Sequence, residues 1–230
     1  MISAQKIPWL RIGTESVAIV VSILLAFSID AWWQNRSEIR VEVQYLLALH
    51  DDLNTSLVLL DESEVTVRRQ MAYLESLLQI NDGAAASEEL RLWIRDGLYV
   101  IGTYEPQLSS LRDLESSGQS RIIQFGPLRR ALASVSQKLE RLQAVQADFV
   151  LSQQMLLDPY LVDSIDLANV LRSDAASFEM DSSIFETKEF RSRVAFKLQL
   201  RDLVSQIQRE IREAFVEAIS LIELRLEQLN

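Results

Sequence analysis

Two carboxylates, Glu15 and Asp30, close an uncharged run of fourteen residues, Ser16 to Ile29 (SVAIVVSILLAFSI). Acids near the ends of an apolar helix carry chemistry, because charged groups in a membrane are costly and mark ion or proton paths. At 100° per residue, Glu15, Ala18, Ser22, Ala26, Asp30 and Trp33 fall on one stripe about a third of the circumference wide. A symmetric assembly of such helices would set rings of Glu15 and Asp30 at the two ends of a central contact or pore. The alternative is a pair of interfacial acids that bond to serine, Gln34 or a neighbouring helix, or that meet water.

The remaining candidates for chemistry are sparse. The single histidine, His50, precedes Asp51 and Asp52. A metal site would need further His, Cys or carboxylate ligands converging from other helices, and no recognised spacing supplies them, so no metal is expected. His50 and Glu64 interrupt an otherwise apolar seam, where polar residues fix helix register or face a water-filled gap. Glu88-Glu89 and Asp51-Asp52 are adjacent on helices and point in different directions, which suits solvated faces better than an acid/base pair. The chain has no cysteine and no nucleophile elbow, Walker loop, dinucleotide fingerprint or HExxH helix. The expectation is a protein that is not an enzyme and holds no cofactor.

The elements that position these residues begin with the apolar run. At ~1.5 Å per residue its fourteen residues reach about 21 Å, short of a ~30 Å hydrocarbon layer. As one helix, Trp9 to Trp33 spans roughly 36 Å, and tryptophan favours the headgroup level at both faces. Trp9, Arg11, Trp32 and Trp33 are therefore the expected interface anchors, and Pro8 suits a first helical position. Nine large apolar side chains favour insertion by roughly 3–5 kcal/mol, against ~2.5–3.5 kcal/mol for a charge at mid-membrane and less near an interface. Arg11 is also an i,i+4 partner for Glu15. A cleaved signal peptide fits poorly, because no small-x-small site follows the run. The reading is a single span within residues 1–35.

Ala18-xxx-Ser22-xxx-Ala26 is a small-xxx-small ladder of the kind that lets helix backbones approach closely in lipid. With one span in the chain, its natural partner is the same span in another copy, so a homo-oligomer is expected. Lys6 and Arg11 flank one end of the run, Arg36 and Arg40 the other, and the positive-inside count is almost balanced. We adopt a short amino-terminal tail held inside, with the large domain exported.

Of 23 basic and 33 acidic side chains, three and two precede residue 37, so residues 37–230 carry 20 and 31, a formal −11. Such a charge disfavours nucleic-acid phosphate and anionic headgroups as partners. Six glycines and four prolines argue against sandwiches, barrels and phosphate loops. Val43, Leu46, His50, Leu53, Leu57, Leu60, Glu64, Val67, Met71, Leu74 and Leu78 alternate steps of three and four, a coiled-coil-like seam that Asn81-Asp82-Gly83 stops. Ser87-Glu88-Glu89 opens a short helix through Val100, and Pro106 another to Ser117-Gly118. Pro127 opens a long one that Asp158-Pro159 ends. Residues 158–187 read as loop or short helices. A last helix over about Thr187–Leu229 has a seam through Leu200, Val204, Ile207, Ile211, Ala214, Ala218, Ile222, Leu226 and Leu229. Thr103–Ile123 reads as a turn packed on the bundle rather than a partner loop. The fold expected for residues 36–230 is an all-α antiparallel bundle.

Two segments resemble a known family. Gly13, Glu15, Ala26, Ile29, Asp30, Trp32, Asn35 and Arg36 occupy the places of the amino-terminal signature of an uncharacterised family of bacterial single-pass membrane proteins, with Thr14 as an insertion. Leu111–Arg129 resembles that family's stretch of helix, Ser-Gly, two apolar residues and Pro/Glu-Leu-Arg. The resemblance implies a helical protein anchored in the bacterial inner membrane and supplies no activity. The leading expectation is a membrane-anchored homo-oligomer with a scaffold or regulatory binding role. The alternatives are an oligomeric ion channel lined by Glu15 and Asp30, and an extracytoplasmic sensor-like ligand-binding bundle.

Overall fold

The computed structural model describes residues 9–80, 87–118, 120–171 and 182–229, apart from the side chains of 9–19, 87 and 182. Every element within these residues is helical. The first helix, α1, runs unbroken over Trp9–Gln79, roughly 105 Å at ~1.5 Å per residue. No glycine or proline lies between Ser16 and Gln79 to interrupt it. The expected stop, Asn81-Asp82-Gly83, lies outside the described residues. Then come α2 (Ser87–Leu92), which continues into a π-helical turn at Trp93–Tyr99, and α3 (Ser109–Ser116). Next are α4 (Gly126–Ser152) with a π-helical turn at Gln153–Leu157, α5 (Asp158–Ser164), α6 (Leu167–Leu171) and α7 (Lys188–Leu229).

The helix α7 packs against both α1 and α4. Because α1 and α7 run antiparallel, the carboxyl end of α7 returns to the point where α1 leaves the bundle, and Arg225 there pairs with Glu42. Two apolar cores result. The larger joins Leu46–Val67 of α1 to α3, α4 and the second half of α7. The smaller, at the far end, gathers Leu74, Leu77, Ile94, Leu98, Leu161 and Phe190 among others.

Two boundaries and the phase of one seam differ from the sequence reading. Pro106 does not open a helix. Residues 100–108 form an extended strap, and α3 starts at Ser109, where Asp52 of α1 accepts hydrogen bonds from the Ser110 N–H (2.8 Å) and the Ser109 hydroxyl (3.2 Å). The carboxylate of one helix thus caps the N-terminus of another. Asp158-Pro159 does not end a helix either. The π-helical turn at Gln153–Leu157 widens the backbone just ahead of the proline, which then occupies the first turn of α5, where its missing N–H costs nothing. The buried seam of α1 is also shifted. Leu46, Leu53, Leu60, Val67 and Leu74 are buried, but the alternate positions are Glu42, Leu49, Ser56, Gln70 and Leu77. His50 and Glu64 are half-buried beside that seam. Ser117-Gly118 does stop α3, and Gly118 adopts the left-handed conformation of a helix C-terminus (φ 66°).

The extended strap lies on α1. Tyr104 donates to the Ser56 carbonyl (2.9 Å), and the Ser56 hydroxyl is bonded to both the N–H and the carbonyl of Gln107. Tyr104, Leu108, Leu111, Leu114 and Ile123 are all buried. Backbone meets backbone closely at Gly97, where a Cβ would sit 3.0 Å from the Tyr73 Cβ and 3.7 Å from the Leu74 nitrogen. Alanine normally stabilises a helical position relative to glycine by ~1 kcal/mol. Here Gly97→Ala should instead cost about 1–3 kcal/mol, because a Cβ cannot swing away as a side-chain tip can. Urea unfolding with an unchanged denaturant slope checks the sign.

At its free end α1 carries Val20, Val21, Ile23, Leu24, Leu25, Phe27, Ile29, Trp32 and Trp33, all exposed, Phe27 at 68%. Among the described residues no helix is long and apolar enough to cross a membrane. The run Ser16–Ile29 begins before Val20, the first described side chain.

Candidate functional site

A belt of buried polar side chains separates the two apolar cores. Its members come from α1 (Gln70), the π-helical turn after α4 (Gln153) and one face of α7 (Lys197 and Arg201). The carbonyls of the strap and of Leu98 just before it have no helical partner, and buried carbonyls must find donors. Lys197 and Gln153 both donate to the Leu98 carbonyl, Gln70 to Val100 (3.3 Å), and Arg201 to Gly102 (2.9 Å). Lys197 is 3% exposed and Arg201 1%. Burial of this depth is exceptional for either residue type.

The two cations lie one turn apart on α7 and share an aromatic neighbour. The Arg201 guanidinium carbon is 4.1 Å from the centroid of Phe149, and Lys197 Nζ is 5.4 Å from it. Lys197 also donates to Gln153 Oε1 (2.8 Å), and Gln153 Nε2 donates to Asp158 Oδ1 (2.6 Å). The hydrogen-bonded path from Asp158 to Lys197 therefore runs through a neutral amide. Among the described residues neither cation has a carboxylate within 4.0 Å, and Arg201 Nε and Nη2 have no hydrogen-bond partner. Burial pushes Lys197 well below the usual lysine value, neighbouring Arg201 adds to the shift, and the charge of Asp158 opposes it in part. Burial also brings Arg201 down to about 10.

Lys197, Gln153 and Phe149 line a cavity of about 200 Å³ together with Leu157, Leu200, Ser152 and Arg193, the last already paired with Glu189. Leu156, Ser192 and Phe196 are exposed at its mouth. Such a cavity with a buried, charge-shifted lysine can bind a ligand and can hold or release a proton. Among the described residues no three His, Cys, Asp or Glu side chains converge to hold a metal ion.

No family model, curated protein or solved structure matches this chain. Its chemistry is therefore read from its own residues.

The residues singled out in the sequence lie elsewhere. Trp9, Arg11, Glu15 and Ala18 belong to the backbone of α1, and their side chains lie outside the described residues. Ser22, Ala26 and Asp30 are exposed one turn apart, and Ala26, Asp30 and Trp33 line a shallow groove with Ile23 and Phe27. Trp32 and Trp33 touch with centroids 6.2 Å apart, and Arg36 sits 5.7 Å from the Trp32 ring. His50 faces Glu223 of α7 (3.5 Å) and Asp51 (3.7 Å). Glu64 accepts from Arg212 of α7 (3.1 Å) and pairs with Arg68 (3.6 Å). Both His50 and Glu64 thus lie between α1 and α7, some distance along α1 from the exposed apolar segment.

The sequence reading missed Gln153, Lys197 and Arg201. A signal for the two cations was present. Stepping back from Val204 by three, four, three and four reaches Arg201, Lys197, Val194 and Phe190, an apolar stripe with two charged residues in phase.

Proposed function

We propose that this chain is a membrane-anchored helical-bundle protein that self-associates through the amino-terminal part of α1 and serves as a binding module. The observation that carries the reading is the exposure of Val20 to Trp33 around the whole circumference of a helix whose other end forms the bundle core. A helix with large apolar side chains exposed over most of its circumference needs a cover, and lipid covers every face at once. The paired tryptophans and Arg36 at one end of the segment suit an interface belt. Ser28 bonds back to the Leu24 carbonyl (2.8 Å), which satisfies its hydroxyl inside an apolar phase. Within lipid, the face of Ala18, Ser22 and Ala26 offers the closest backbone approach to a second copy.

The absence of cysteine makes the test direct. Single cysteines at Ala18, Ser22 and Ala26 in the full chain, in native membranes, should form disulfide-linked dimers several-fold faster than cysteines at Val20 or Leu24. Equal rates would reject the self-associating face. Release of the chain from membranes by alkaline carbonate would reject the anchor.

A further inference from the structure

We infer that the cavity between α4 and α7 binds a small organic monocarboxylate, with the carboxylate at Lys197 and a ring-sized apolar body against Phe149, Leu157 and Leu200. The inference is independent of the membrane reading. It starts from charge. Lys197 and Arg201 are two buried cations within one turn, and their hydrogen bonds go only to carbonyl oxygens. Buried positive charge without a counter-charge is costly, and two like charges side by side compound the cost. Among the described residues none supplies either cation with a direct carboxylate, and the Arg201 nitrogens Nε and Nη2 have no hydrogen-bond partner. An anion bound beside Lys197 would repay that cost.

The cavity decides which anion. Leucine and phenylalanine are five of its ten lining residues, and these desolvate a multivalent phosphate without replacing its water. One carboxylate oxygen can be met by the remaining Lys197 proton while the body of the ligand covers apolar surface. The volume is suitable too, since an apolar cavity of ~150 Å³ holds benzene and this one measures about 200 Å³. The exposed mouth at Ser192 and Phe196 provides an entry.

Benzoate is the probe, benzamide its uncharged isostere, and inorganic phosphate an anion without an apolar body. The experiment is titration calorimetry of the purified full chain in neutral detergent. Benzoate should bind roughly ten- to hundred-fold more tightly than benzamide or phosphate, the ratio for one hydrogen bond to a charged group. Lys197→Met should weaken benzoate by a similar factor while the protein still unfolds cooperatively, at or above the wild-type temperature. Ser192→Trp, an exposed substitution at the mouth, should weaken it as well with the fold intact. No benzoate binding to the wild type, benzamide binding equal to benzoate, or undiminished affinity in Lys197→Met would each overturn the inference.

Discussion

Arg225→Met should lower the unfolding free energy by about 3–5 kcal/mol, the cost of leaving a buried charge without its partner. Glu42 is fully buried (0% exposed), and its carboxylate accepts from Arg225 Nε (3.1 Å), Arg225 Nη2 (2.8 Å) and the backbone N–H of Gln124 (2.9 Å). One side chain of α1 thus ties down the last turns of α7 and the segment leading into α4. Removing the guanidinium leaves the carboxylate one backbone donor and no cation. The double variant Glu42→Met/Arg225→Met should recover most of the loss, because paired removal restores an apolar contact. Glu42→Gln should cost less than Arg225→Met, since its amide oxygen still accepts from Gln124 and Arg225 is partly exposed. Equilibrium urea unfolding of the full chain in detergent measures all three. A loss in Arg225→Met no larger than that of Glu42→Gln would refute the account.

The same ion pair shows where sequence patterning stopped being informative. Periodicity alone was enough for the all-helical class and for the long courses of α1 and α7, because both helices bury a long apolar face and neither α7 nor α1 beyond Gly13 contains glycine or proline. The phase of that face was not readable. The expected seam took Val43, His50, Leu57, Glu64 and Met71, since most of these are larger and more apolar than Glu42, Ser56 and Gln70 one residue earlier. Those polar residues are buried because each finds a distant partner: Arg225 for Glu42, the strap for Ser56 and the Val100 carbonyl for Gln70. A count of apolar residues cannot anticipate a hydrogen bond to a segment some fifty residues away. Pro159 failed for a related reason, since a widened π-helical turn ahead of it is a tertiary accommodation. In α7, Leu200 looked like the seam residue beside Val204, while the structure buries Arg201 there. The carbonyls of Leu98, in the π-helical turn, and of Gly102, in the strap, draw Lys197 and Arg201 inward.

Lys197→Met is the complementary test, and it should stabilise the protein by about 1–4 kcal/mol near neutral pH. Methionine keeps most of the side-chain length and removes a charge that burial disfavours. The Leu98 carbonyl keeps a donor in Gln153 Nε2 (3.1 Å), and Gln153 Oε1, which loses one, lies in the wall of an open-mouthed cavity where water can reach it. The pH dependence fixes the sign. In the folded chain Lys197 gives up its proton more easily than the ordinary value of 10.5. Between that lowered value and 10.5 the unfolded chain binds more protons, so wild-type stability rises with pH across this window. Below the window both states hold the proton and the full penalty persists. Arg201, held at about 10, contributes a slope of the same sign in both proteins, and Tyr104, whose phenol is pushed up by burial, contributes the opposite sign above 10. The difference between wild type and Lys197→Met therefore isolates one amine. It should be largest below the lowered value and shrink as the pH approaches 10.5. Lys197→Arg, which keeps its charge throughout and adds volume, should be less stable than wild type at every pH. A stability difference between wild type and Lys197→Met that stays constant from pH 7 to pH 10 would mean that Lys197 does not titrate in the fold.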